Sequence, residues 1–170
     1  MEMNFCRRCG TKLAEKESGV FVCDNNHTLY INAAPAAAIF FMNENDQVVL
    51  SVRGLEPYKG SLDAFGGFID EHESVEDALT REIEEETGLT PDQYSSPQYL
   101  GSHTASYPYG GENRTILGSL FWARLNPGVQ LVANDDVAAV KTVFLNDLDL
   151  SLISNDDVVF GIKKLQELFK

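Results

Sequence analysis

Cysteine is scarce in this chain of 170 residues: there are three, all within the first 23 positions. An odd count confined to one end excludes a disulfide framework running through the fold. Long apolar runs are also missing. The longest, 33–42, is ten residues with Pro35 inside it, against about 20 for a bilayer span, so no membrane association is expected. The first ten residues hold no apolar stretch of the kind a signal peptide needs, and a cytoplasmic protein is the expectation. Basic residues are outnumbered, 13 Lys and Arg against 26 Asp and Glu, for a formal net charge of −13. Such a surface repels nucleic-acid backbones unless cations cluster locally, and no cluster is visible. Nucleic acid is therefore not the expected partner. With 44% apolar residues the chain can bury one core and one small appendage, not two full domains.

What is abundant is acid, and it is concentrated after residue 69. Ser74 followed by Asp77 makes a weak capping box, and Val75, Leu79 and Ile83 recur at spacing four, which predicts a helix over 74–87 closed by Gly88. On that helix Glu82, Glu85 and Glu86 stand at i, i+3 and i+4, on one face, with β-carbons roughly 5–6 Å apart. They crowd the last turn, where the dipole favours cations, and each misplaced acid costs roughly 0.3–1 kcal/mol if exposed. A solvated acidic face is the plain alternative. A hard divalent cation explains the placement better, because Mg²⁺ takes carboxylate oxygens and keeps waters that bridge to phosphates. Arg81, one turn before Glu85, adds a fixed cation able to orient that carboxylate.

The run from Gly67 to Leu89, with Gly67, Glu73, Arg81, Glu82, Glu85, Glu86 and Gly88 at fixed offsets, resembles an intact Nudix box, the signature of the MutT-like Nudix hydrolase superfamily. The resemblance implies hydrolysis of a nucleoside diphosphate linked to another moiety, of the NADH, ADP-ribose or dinucleoside-polyphosphate type. Carried over by position, it implies Glu82, Glu85 and Glu86 as Mg²⁺ or Mn²⁺ ligands with Gly66 as a further one, and Glu73 in support. A general base is needed as well; Glu82, Glu112, Asp135 and Asp136 are the candidates. An anionic substrate would be repelled by this chain unless bound cations first reversed the local field, so metal dependence follows from the charge. Two other readings stay open: a nucleotide-sensing module whose amino-terminal segment contacts a partner, and removal of a nucleotide cap from RNA, which the charge disfavours. The Nudix resemblance implies an α/β/α sandwich with a mixed sheet over 33–170, and the alternation of strand and helix patterns points the same way.

Cys6-x-x-Cys9-Gly10 has the spacing of a zinc knuckle, which Cys23 and His27 would complete as a tetrahedral Cys₃His site. Reduced thiols are the alternative. Segment 1–32 is also similar to the zinc ribbon of NADH pyrophosphatase-like Nudix members, which implies structural Zn²⁺. Strands are expected over 36–42 and 47–53 as a hairpin, then 64–69, 98–107, 115–125 and 137–145, with a closing helix over 155–169. A turn over 108–111 separates the fourth and fifth of these. Substrate selection falls to the segment between them. Tyr107 and Tyr109 can stack on a base or simply pack the strand edge, and Arg53, Lys59 and Arg114 are the cations placed to meet a diphosphate. A homodimer is compatible with this organisation.

Overall fold

The computed structural model describes residues 4–170; the first three positions of the 1–32 segment lie outside it. Two separate sheets form. The smaller is antiparallel in the order β1 (Leu13–Glu17), β2 (Val20–Cys23), β3 (Thr28–Tyr30). It encloses a core of its own, in which Cys6, Leu13, Cys23 and Leu29 are buried.

The larger sheet is built from β4 (Ala34–Met42), β5 (Gln47–Arg53), β6 (Leu62–Asp63), β7 (Phe65–Phe68), β8 (Gln98–Tyr109), β9 (Glu112–Arg124) and β10 (Val137–Phe144). Its spine runs β10-β5-β4-β9-β8, with β6 on β5 and β7 on β4. β4 and β9 pair in parallel from Ala34↔Ile116 to Met42↔Arg124, while the other pairings are antiparallel, so the sheet is mixed as expected. Helix α1 (Val75–Thr87) covers one face and α2 (Asp156–Leu168) the other.

The apolar run around β4 follows from this sandwich, because a strand buried on both faces has no polar side to present. Ala37, Ile39 and Phe41 pack with Ala78, Leu79 and Ile83 of α1. Phe40 and Met42 point the other way, to Val158, Ile162 and Leu165 of α2. Both helices stop and start where the sequence reading places them. Ser74 caps α1 by accepting from the Asp77 N–H at 3.1 Å, and Gly88 ends it at φ 68°.

Two expectations change. The turn between β8 and β9 is Gly110-Gly111 alone, with φ 61° and 81°; two left-handed residues suffice for a tight hairpin. Pro108 and Tyr109 therefore belong to β8, an edge strand, where a proline costs no ladder bond. The expected strand over 64–69 forms as β7, and an unexpected short strand, β6, precedes it on a different partner. β4 and β5 pair only at Phe41↔Val49 and Met42↔Val48. Beyond that point β4 takes β7 and β5 takes β6. The two central strands splay there, and the principal cleft opens in the gap.

Candidate active site

A cavity of about 510 Å³ occupies this gap. One end is acidic: Glu82, Glu85 and Glu86 of α1 line it together with Asp135, Asp136 and the Gly66-Gly67 strand. The 131–137 segment is pinned there by backbone, since Asn134 N–H donates to Glu86 O at 3.0 Å and Gly54 N–H to Asp136 O at 2.7 Å. Gly67 lies directly against Glu82. A β-carbon on it would lie 2.5 Å from Glu82 Oε1, so any side chain would displace that carboxylate.

Arg81 organises the acids. Its Nε and Nη2 donate to the two oxygens of Glu73 at 2.9 and 3.0 Å, and Nη1 donates to Glu82 at 2.7 Å and Glu85 at 3.2 Å. Nη2 also donates to Phe68 O at 3.1 Å. This bidentate grip, with the Asp70 N–H in support, holds the Glu73 carboxyl down at about 2. Glu86 lacks a cation. It is 8% exposed, and its Oε2 accepts from Gly66 N–H at 2.9 Å. Burial, followed by the charges of Glu82, Asp63 and Asp136, pushes its carboxyl up to about 8. Burial raises Glu82 as well, against the pull of Arg81.

The three box carboxylates share a helix face but do not meet at a point. Among the described residues, the one group of three or more Cys, His, Asp or Glu donors within 4.8 Å of one another is Cys6, Cys9, Cys23 and His27. In the box, Arg81 draws Glu82 and Glu85 to itself while Glu86 turns to Gly66. The donor set still suits a hard divalent ion, which binds through one or two carboxylates and retains several waters. A buried acid without a counter-charge is the group such an ion would stabilise.

That coupling has a measurable sign. Folding favours protonated Glu86, whose value rises from 4.5 to about 8. The stability it confers is complete below 4.5 and is lost as pH rises through 8. In buffer free of divalent salts, the melting temperature should fall by on the order of 5 °C between pH 5 and 8. Glu86→Gln should flatten that slope in thermal melts, as should added Mg²⁺.

The opposite wall carries a network that periodicity did not reveal. Arg53 donates from Nη1 to Asp63 at 2.9 Å, from Nη2 to Tyr107 Oη at 3.0 Å and from Nε to Pro57 O at 2.8 Å. Asp63 also accepts from Asn155 Nδ2 at 3.0 Å and from Ala64 N–H at 2.9 Å. Arg53 thus lines the cleft with every nitrogen committed. Tyr107 stands edge-on to Phe68, centroids 5.8 Å apart, and Tyr109 lies under Arg114 at 5.5 Å. Tyr107 and Tyr109 border the cavity; Arg114, Lys59 and Glu112 are not among its walls, Glu112 being exposed beside the hairpin turn. Asp157, at the start of α2, does border it. An acid in the first turn of a helix ordinarily reads as a dipole partner, which is why its role escaped the sequence reading.

In the small sheet the sulfur of Cys6 lies 3.6 Å from His27 Nδ1, and that of Cys9 lies 3.7 Å from Cys23 Sγ. A tetrahedral zinc with bonds of about 2.0–2.3 Å spaces its ligands by roughly 3.5–3.8 Å. All three cysteines are unpaired thiols. Among the described residues no helix is long and apolar enough to cross a membrane.

Comparison with known proteins agrees with this architecture. An ADP-ribose pyrophosphatase of Methanocaldococcus jannaschii is 31% identical over 134 residues, covering 78% of this chain and 75% of that protein. The human mitochondrial NAD(P)H pyrophosphatase NUDT13 is 33% identical over 107 residues, 62% of this chain but only 29% of the human one. A NUDIX hydrolase from Nitrosomonas europaea superposes with a TM-score of 0.69 at 19% identity, over 97% of this chain and 92% of its own, a likeness of fold. The family profile described as NUDIX domain matches residues 32–160. Splayed strands, an acid-bearing helix seated against paired glycines and a profile match across most of the chain lead to one assignment: the protein belongs to the NUDIX family.

Proposed function

We propose that the chain is a metal-dependent pyrophosphohydrolase that cleaves the diphosphate of a nucleotide conjugate, with ADP-ribose and NADH as the leading substrate types. The observation that carries this reading is Glu86: buried, hydrogen-bonded to Gly66 N–H and left without a counter-charge among other acids. The pyrophosphatase relatives support the substrate class.

Glu82, Glu85 and Glu86 would hold Mg²⁺ or Mn²⁺ at the Gly66-Gly67 strand. Divalent ions in such a site neutralise the diphosphate and lower the pKa of an attacking water. Arg81 is the positioning residue, fixing Glu82 and Glu85 from one guanidinium braced by Glu73. Asp135 and Asp136, held at the cleft by backbone bonds, are the better-placed candidates for the general base, whereas Glu112 stands outside the cleft. Phe68, Tyr107 and Tyr109 give the mouth an aromatic rim suited to a base or nicotinamide ring. Segment 1–32 would be a separate zinc ribbon in which Cys6, Cys9, Cys23 and His27 close the coordination shell, leaving no open position and hence a structural role.

The test is a hydrolysis panel of ADP-ribose, NADH and diadenosine polyphosphates with Mg²⁺ or Mn²⁺, scored by release of nucleoside monophosphate. Turnover of ADP-ribose or NADH above the polyphosphates is expected. Absence of turnover across the panel would contradict the reading.

A further inference from the structure

The floor of the cleft beyond the acidic end is made of small residues. Phe68 pairs with Ala36, Ala36 with Gly118, and Gly118 with His103, forming one row across four strands. Cross-strand partners share a face, so Phe68, Ala36 and Gly118 look into the same space, as does Ala38 one row along. From Phe68 to Gly118 is two strand spacings, about 10 Å. That leaves a flat slot wide enough for a bicyclic ring, with Phe68, 38% exposed, at one end.

Asp157 closes the other end. It is 5% exposed, and its Oδ1 accepts from Val158 N–H at 3.0 Å. Its Oδ2 has no hydrogen bond among the described residues and sits over Gly118, where a β-carbon would come within 2.4 Å of it. Glycine at 118 is what makes room for the free oxygen. Neighbouring Asp63 offers no such capacity, since Arg53, Asn155 and Ala64 N–H already occupy its oxygens. Burial, and then the charge of Asp63, push the Asp157 carboxyl up to about 6, against Val158 N–H and against His103, which pairs with Gly118 across the floor. Above that value the ionised carboxylate accepts and cannot donate.

Resting on the reading of this cleft as a nucleotide site, we propose that Asp157 is its base-reading residue: Oδ2, seated over Gly118, accepts an exocyclic amino N–H from an adenine-type purine lying over Ala36 and Ala38. The chemistry discriminates by sign. Adenine presents a donor at its six-position. Hypoxanthine presents a carbonyl there, which would set one acceptor against another and leave both unpaired.

Equilibrium binding of AMP and IMP, measured by calorimetry with Mg²⁺ at about pH 8, above the value of about 6 to which the carboxyl is raised, tests this independently of turnover, because neither nucleotide carries a diphosphate to cleave. Wild type should bind AMP at least about fivefold more tightly than IMP. Asp157→Asn should reverse the order, because Oδ1 must still accept from Val158 N–H and the amide then turns a donor to the slot. Asp157→Leu should bring the ratio to about one. Equal affinities in wild type, no binding of either nucleotide at millimolar concentration, or an unchanged ratio in an Asp157→Asn protein that melts like wild type would each overturn the assignment. The wild-type ratio decides the case if neither variant folds. Loss of hydrolysis with the AMP preference intact would sink the hydrolase reading alone; hydrolysis without the preference would sink only the role of Asp157.

Discussion

Glu86→Gln should lower kcat on ADP-ribose by at least a hundredfold and, in the same protein, raise the melting temperature in buffer free of divalent salts. The two effects share a cause. Gln keeps an oxygen for the Gly66 N–H, now 2.9 Å from Glu86 Oε2, so the local fold loses no partner. It removes a buried carboxylate that burial and then Glu82, Asp63 and Asp136 disfavour. Stability near neutral pH should rise by on the order of 1–3 kcal/mol, the scale of an uncompensated buried group. Activity falls because a neutral amide is a far weaker ligand for a hard cation, and losing one electrostatic contributor typically costs about 10²–10³ in rate. Steady-state rates and thermal melts on the same preparation check both halves. Reduced activity with reduced stability would mean that Glu86 is structural.

Loss of zinc should unfold residues 4–30 while leaving the larger domain intact. Among the described residues the small sheet buries Cys6, Leu13, Cys23 and Leu29, with Phe21 packed alongside. So few apolar groups cannot offset the conformational entropy of ordering the segment. A structural zinc contributes about 10–16 kcal/mol to such modules. Purified protein should contain about one equivalent of zinc by elemental analysis. Cys23→Ser should abolish amide-exchange protection across β1–β3, while the strands β4, β5 and β9 stay protected. Less than about a tenth of an equivalent would favour free thiols. A Cys23→Ser protein with protected β1–β3 would do the same.

The box helix was legible because its evidence is local: a cap, a four-residue apolar repeat and a terminal glycine set the ends of α1 to within a residue. The β4 run was legible for a similar reason, since burial on two faces leaves an unbroken apolar segment. What could not be read was whatever depends on strands far apart in sequence. The splay of β4 from β5 follows from β6 and β7 taking their edges, and no residue of the hairpin itself announces it. Asp63 and Asp157 resemble surface acids until the sheet and α2 close over them. Arg53 was expected at the cleft and lines it, yet its nitrogens are held by Asp63, Tyr107 and Pro57. Glu112 shows the reverse. It was a candidate base as an acid from a loop after the box, and it stands exposed beside the hairpin turn, outside the cavity walls.

The central claim is that acids of α1 hold divalent cations that drive diphosphate cleavage. The most direct measurement follows AMP release from ADP-ribose by wild type and by the Glu85→Gln, Glu86→Gln double variant, each with and without Mg²⁺ or Mn²⁺. Wild type should release AMP and ribose 5-phosphate in equal amounts only when metal is present, and the double variant should release neither above background. Equal release by both proteins, or release by wild type that is indifferent to metal, would contradict the account.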